Sequence, residues 1–215
     1  MNKVVLVTRP NHDETTNYLD KWSEPIIKLA NQKNYKLIDL RGEKATRSVF
    51  EGYARKHHPS FFFLNGHGSE KIIAGQNNEY LLVYKENETL CAGAVLYVRS
   101  CSAAKLLGQS LVTSGARACI GYTSKFGFMR LLSSTTKPIL DPLAKLFIEP
   151  ANLVATTLLK GHSVLDAHQR GISGMKKNLK RMLSSESTQQ NSNAVVLLWS
   201  NIRGQVVIGD SSATI

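Results

Sequence analysis

The chain is poor in cysteine and in acidic residues. Its three cysteines, Cys91, Cys101 and Cys119, are an odd number in 215 residues, which does not suit a disulfide framework and fits a reducing compartment. They lack the paired Cys/His spacing of a zinc site, so any special cysteine here is chemical rather than structural, and no cofactor is expected. No apolar run approaches the roughly 18 to 20 residues that span a bilayer. Met1-Asn-Lys leads directly into VVLVT without a signal-peptide core. The expectation is a cytoplasmic protein with no membrane partner. No internal repeat is visible.

Acids number 16 against 27 lysines and arginines, a formal charge of +11. Much of the excess lies between Lys125 and Leu183, where ten basic residues face three acids. Such a balance raises the question of a nucleic-acid partner. The tightest basic group, MKKNLKRML, has no interleaved aromatics for stacking bases and belongs to no recognisable nucleic-acid module, which disfavours that partner. A solvated helix face accounts for it.

What the chain does have is core: 42% of residues are hydrophobic, enough for one sizeable domain over residues 1–215. KVVLVT (3–8), YKLIDL (35–40), SFFFLN (60–65), AVLYV (94–98) and ARACIGYT (116–123) read as strands. Helices are expected between them: one to about Asn31, started by Asp13 or Thr15, one over 46–58, and one over SAAKLLGQSLVTSG. Strand and helix alternate, which predicts a mostly parallel sheet with helices on both faces, a three-layer α/β/α sandwich. Residues 70–90 read as an excursion containing a hairpin. Two helices are expected at about 139–160 and 163–183. SSESTQQNSN (184–193) reads as a flexible loop, and AVVLLWSNIRGQVVIGD as a C-terminal hairpin of two strands.

Two strands end in small-residue turns that carry one reactive side chain each: FFFLNGHGS presents His67, and VLYVRSCSA presents Cys101. In an open α/β sheet, ligands collect at the carboxyl ends of the strands. If these strands are neighbours, the imidazole and the thiol emerge side by side as a Cys–His dyad. Gly66 and Gly68 leave room for a substrate backbone, and the Gly68 amide, with that of Cys101 at the start of a helix, supplies an oxyanion hole. Cys119, within ARACIGY, reads as core.

These residues resemble the caspase-like cysteine peptidases of clan CD. Members carry His-Gly after one buried strand and Cys after the next, as Asn65-Gly66-His67-Gly68-Ser69 and Arg99-Ser100-Cys101-Ser102-Ala103 do here. SGARACIGYTSKF is similar to the segment after the nucleophile in the prokaryotic CHAT group. The resemblance covers residues 3–125 and, more weakly, the LLWSNIRGQVVIGD end. It implies a caspase-like fold, His67 as general base, Cys101 as nucleophile, and peptide hydrolysis through a thioester, in a prokaryotic signalling or defence setting. A protein or peptide is the implied substrate, with an activating protein as a further partner. Arg99, two residues before the nucleophile, and Arg9, after the first strand, are expected to line the pocket for an acidic P1 side chain. The competing reading pairs Arg99 internally and has Asp13 face a basic P1. A catalytically silent caspase-like module and a basic nucleic-acid-binding domain stand as alternative functions.

Overall fold

The computed structural model describes residues 3–184 and 191–215. The chain begins with β1 (Val4–Arg9), α1 (Glu14–Gln32), β2 (Lys36–Arg41), α2 (Arg47–His57) and β3 (Phe61–Asn65). A short excursion, β4 (Ile72–Ala74) and β5 (Tyr80–Val83), precedes β6 (Val95–Arg99), α3 (Leu107–Thr113) and β7 (Ala118–Tyr122). Helices α4 (Pro142–Leu159), α5 (Val164–Met182) and α6 (Asn191–Gly204) follow, then β8 (Gln205–Gly209). Six strands form the main sheet in the order β2-β1-β3-β6-β7-β8; β4 and β5 make a separate antiparallel pair. The first five strands of that order run parallel and β8 is antiparallel to β7.

Side chains alternate across this sheet as the pleat dictates. Val5, Val7, Phe61, Phe63, Val95, Tyr97 and Ile120 point to the face covered by α1, α4 and α5. Leu6, Phe62, Leu64, Leu96 and Val98 point to the other, covered by α2, α3 and the β4–β5 pair. Both faces are buried, which is why FFFLN and VLYV read as continuous apolar runs. Each such large side chain contributes about 1.5–3 kcal/mol by leaving water. The layers are thus helix, sheet, helix. A third apolar cluster, with Tyr18, Trp22, Phe147, Met175 and Leu198, joins α1, α4, α5 and α6 on the outside of the first face.

Two expectations need correction. The C-terminal hairpin is absent: AVVLLWSNI is helical and only QVVIG is a strand. Ala194, Leu198 and Ile202 recur every four residues and are buried, while Val196 and Trp199 face outward, a helical period hidden inside a run of β-formers. Of the expected loop 184–193, residues 185–190 lie outside the described residues, and 191–193 open α6. The other correction concerns α3, which begins at Leu107 rather than directly after Cys101. Ser102 sits at φ 55 in the left-handed region, and its N–H and that of Ala104 bond to the carbonyls of Ser124 and Tyr122. The backbone after the thiol is therefore tied to the exit of β7 and cannot coil at once. With it goes the expectation that Cys101 stands at the start of a helix.

Candidate active site

Chain order along the sheet sets the location. From β1 the chain steps to β2 on one side, then returns to β3 on the other, so the order reverses between β1 and β3 and a crevice opens at their carboxyl ends. β6 lies next to β3, in register, with Asn65 paired to Arg99. His67 and Cys101 therefore each stand two residues beyond paired positions on adjoining parallel strands.

Below these tips runs a buried polar chain. The Asn65 N–H bonds to Thr8 Oγ1 at 2.9 Å and its Nδ2 to the Thr8 carbonyl at 2.7 Å, linking β3 to β1. Asn65 Oδ1 accepts from Arg99 Nε at 2.6 Å, linking β3 to β6. The rest of the Arg99 guanidinium donates to Asn152 Oδ1 at 2.7 Å and Ser23 Oγ at 2.8 Å, and lies 4.7 Å from the centre of the Phe63 ring. Arg99 is 0% exposed, and burial pulls its guanidinium down to about 10 although Tyr97 and Tyr122 support the charge. It locks strand tips to α1 and α4 and offers no donor to a ligand. Arg9 is also committed inside: it donates to Asp39 Oδ1 at 2.9 Å and to Asp20 Oδ1 at 2.9 Å. Neither arginine lines a pocket, so the expected acidic P1 loses its basis.

The crevice itself is shaped by turns. Gly66 has φ +151, and a Cβ there would lie 2.0 Å from the Ala74 carbonyl oxygen, so only glycine lets the chain leave β3 here. The chain then folds along β4: the Ala74 N–H bonds to the His67 carbonyl at 2.9 Å and the Ser69 N–H to Ile72 at 3.1 Å. This pattern places Gly68 opposite Ile73 in a non-hydrogen-bonded pair. The Gly68 N–H consequently has no protein acceptor among the described residues, and the Cys101 N–H has none there either. A Cβ on Gly68 would stand 2.1 Å from Ser100 Oγ, so the loop carrying the imidazole and the loop carrying the thiol touch.

Asp13 caps α1. Its Oδ1 accepts from the Thr16 N–H at 2.8 Å, while its Oδ2 lies 2.6 Å from His67 Nε2. Burial pushes this carboxyl up, but the Thr16 N–H, the His67 bond and the Thr16 hydroxyl outweigh it and hold it at about 2. It is therefore a carboxylate at neutral pH. Its partner on this chain is His67 rather than a substrate side chain, which replaces the reading of Asp13 as the acid facing a basic P1. The imidazole of His12 packs edge-on against that of His67, ring centres 6.1 Å apart. The loop bearing both is anchored by the Asn11 N–H on Gln76 Oε1 at 2.9 Å.

Cys101 is half-buried, and its Sγ lies 3.6 Å from the carbonyl oxygen of Phe126. Burial raises its pKa above the ordinary thiol value, against smaller lowering effects from the Phe126 contact and Lys125. Among the described residues no hydrogen bond joins His67 to Cys101: the imidazole is turned to Asp13, the thiol to Phe126. The Phe126 segment is held by α6, whose Asn201 bonds to both the N–H and the carbonyl of Gly127, at 3.1 and 2.6 Å. Cys91 and Cys119 are fully buried, and burial raises both thiols, Cys119 to about 12.

Sequence reasoning missed two of these participants, His12 and Asn201, and gave Asp13 a different partner. Asp13 was visible as a cap, but its contact with His67 follows from the reversal of strand order. His12 carried no signal beyond its neighbour. Asn201 was hidden by the reading of its segment as a hairpin turn.

No protein-family model matches this chain, and no curated protein matches it. Among solved structures, the complex of Porphyromonas gingivalis RgpB pro- and mature domains aligns over 99% of this chain with a TM-score of 0.63 and 11% identity. This chain spans about half of that one, 48%. A secreted C11 cysteine protease from Bacteroides thetaiotaomicron, in complex with an irreversible peptide inhibitor, aligns over 100% of this chain and 88% of its own at a TM-score of 0.42 and 10% identity. At such identities the likeness to the RgpB complex is one of fold: an α/β sandwich around a mostly parallel sheet, consistent with the caspase-like architecture that the residues around His67 and Cys101 led us to expect.

Proposed function

We propose that this chain is a caspase-like cysteine endopeptidase domain in which Cys101 is the nucleophile and His67 the general base. The observation that carries the reading is the Asn65–Arg99 register, which brings the turns holding both side chains to neighbouring tips of the sheet. Asp13 is the positioning residue: as a carboxylate on Nε2 it orients the ring and stabilises the imidazolium. The Gly68 and Cys101 amides, free of protein acceptors among the described residues, are the donors for a developing oxyanion, each worth about 3 kcal/mol in such sites. In turnover the thiol proton passes to His67 and the thiolate adds to the peptide carbonyl. The C–N bond then breaks, the departing amine takes the proton from the imidazolium, and water hydrolyses the thioester.

The thiol held by Phe126 and raised by burial describes a resting state. Catalysis requires the sulfur to leave that carbonyl and turn toward His67, and α6, through Asn201, is the element through which an activating protein would act. The same observation favours a second reading, a catalytically silent module of the same fold. The CHAT-like subgroup rests on the segment after Cys101 alone.

A series of peptidyl acyloxymethylketones with varied P1 residues separates the two. Accessibility alone directs reagents to Cys101, because Cys91 and Cys119 are buried, so labelling there counts only when it depends on His67. Rapid adduct formation at Cys101, mapped by mass spectrometry and lost in His67→Ala, supports the peptidase. Equal rates in the two proteins would leave the silent module.

A further inference from the structure

We propose that His12, Asp13 and His67 form a binding site for a divalent transition-metal ion of the zinc type. One ligand atom from each residue lies within 4.8 Å of the others. His67 Nε2 is 2.6 Å and His12 Nε2 3.6 Å from the same oxygen, Asp13 Oδ2. Zinc takes imidazole nitrogen and carboxylate oxygen at about 2.0–2.2 Å in a tetrahedron, which sets its ligand atoms roughly 3.3–3.5 Å apart. The His12 contact, at 3.6 Å, comes within about 0.3 Å of this spacing. The His67 contact opens by less than about 1 Å to reach it.

An independent observation points to a missing partner. Both ring nitrogens of His12 are buried and neither has a hydrogen-bond partner among the described residues. A neutral imidazole always carries one N–H and one lone pair, and leaving buried polar atoms unsatisfied costs about 1–3 kcal/mol. A metal ion between His12 and His67 takes up that lone pair. The site is also reachable, since the His67 and Asp13 side chains are 41% and 39% exposed while His12 is 12% exposed. Two imidazoles and one carboxylate suit zinc and its neighbours in the first transition row, not calcium or magnesium, which favour oxygen. Three protein ligands leave a position open to solvent.

One consequence rests on the peptidase reading: an ion on His67 Nε2 separates the imidazole from Asp13 and blocks its service as a base. Zinc then acts as a reversible off-switch. Binding itself does not depend on that reading.

The test uses the full chain, stripped with chelator and titrated with Co²⁺ by absorption and Zn²⁺ by calorimetry. We expect a single equivalent of either ion, a visible cobalt spectrum of tetrahedral type, and no thiolate-to-cobalt charge-transfer band. His12→Ala should weaken binding by a factor on the order of 10 to 100. Its melting temperature should hold, because the His12 side chain makes no hydrogen bond among the described residues. Cys101→Ala should bind as the parent does. Absence of binding, binding indifferent to His12→Ala, a thiolate band, or loss of binding in Cys101→Ala each overturns the proposal. Failed ketone labelling with intact metal binding would instead overturn the peptidase and leave this site standing.

Discussion

Asp13 Oδ2 meets His67 Nε2 at 2.6 Å across the crevice where the strand order reverses. One carboxylate thus performs two tasks, closing the first turn of α1 through Thr16 and fixing the imidazole. Asparagine caps helices as well as aspartate does, so Asp13→Asn separates the tasks. We expect nearly unchanged thermal stability and a kcat lowered roughly 10- to 100-fold, less than in His67→Ala, with the acidic limb of the pH–rate profile displaced. A profile of unchanged shape would assign Asp13 a purely structural role.

Gly68→Ala addresses the contact between the two site loops. The new Cβ would lie 2.1 Å from Ser100 Oγ and 2.6 Å from the Ile72 carbonyl oxygen. A side chain can turn away, but the backbone of β4 cannot, so the loops must part. The variant should lose about 1–3 kcal/mol of stability and label Cys101 with ketone reagents about tenfold more slowly. Adding Ser100→Ala should not restore the rate, because Ile72 remains; full recovery would contradict this account.

Arg99→Ala tests the buried lock. Removing the guanidinium leaves a large void and strips Asn65, Asn152 and Ser23 of their donors. Urea unfolding should show a loss on the order of 3 kcal/mol or more. Arg99→Met refills most of the volume and should recover part of it. A surface-like effect below about 0.5 kcal/mol would exclude the lock.

Acid stability follows from Glu51, which joins α2 to the loop after β5. The Asn87 amide at 2.9 Å, opposed by burial and helped by Arg47 and Arg55 at 3.0 Å, holds its carboxyl at about 2 instead of 4.5. Between those values the unfolded chain binds a proton that the folded chain does not. Stability is therefore complete above about pH 4.5 and drains away as the pH falls toward 2. Asp13 adds to this below its ordinary 3.8. Glu51→Gln should cost about 1–2 kcal/mol at neutral pH, discounted for exposed arginines, and flatten the acid limb. An unaltered limb in urea unfolding across this range would refute the assignment.

Buried strands were legible because apolar runs such as FFFLN and VLYV admit few other fates, and their succession made β3 and β6 neighbours. The placement of His67 and Cys101 at those tips was legible for the same reason. The α6 segment was not, because its valines and leucines favour strand locally and only packing against α5 and the α1–α4 layer selects the helix. The late start of α3 escaped notice because it depends on backbone bonds to residues 122 and 124, some twenty positions away. Arg9 and Arg99 were misread since a basic residue beside a strand end carries no sign of the carboxylates, amides and hydroxyls that tertiary structure brings to it.

The order of the strands has one more consequence. Acid, imidazole and sulfur follow one another from the β1 exit to the β3 tip to the β6 tip, so they form a row crosswise to the sheet. Adjacent strands sit about 4.8 Å apart, which gives the row a footprint of roughly 10 Å, about three residues of extended polypeptide. Anything that touches all three groups at once must lie athwart the strands, like a plank across joists.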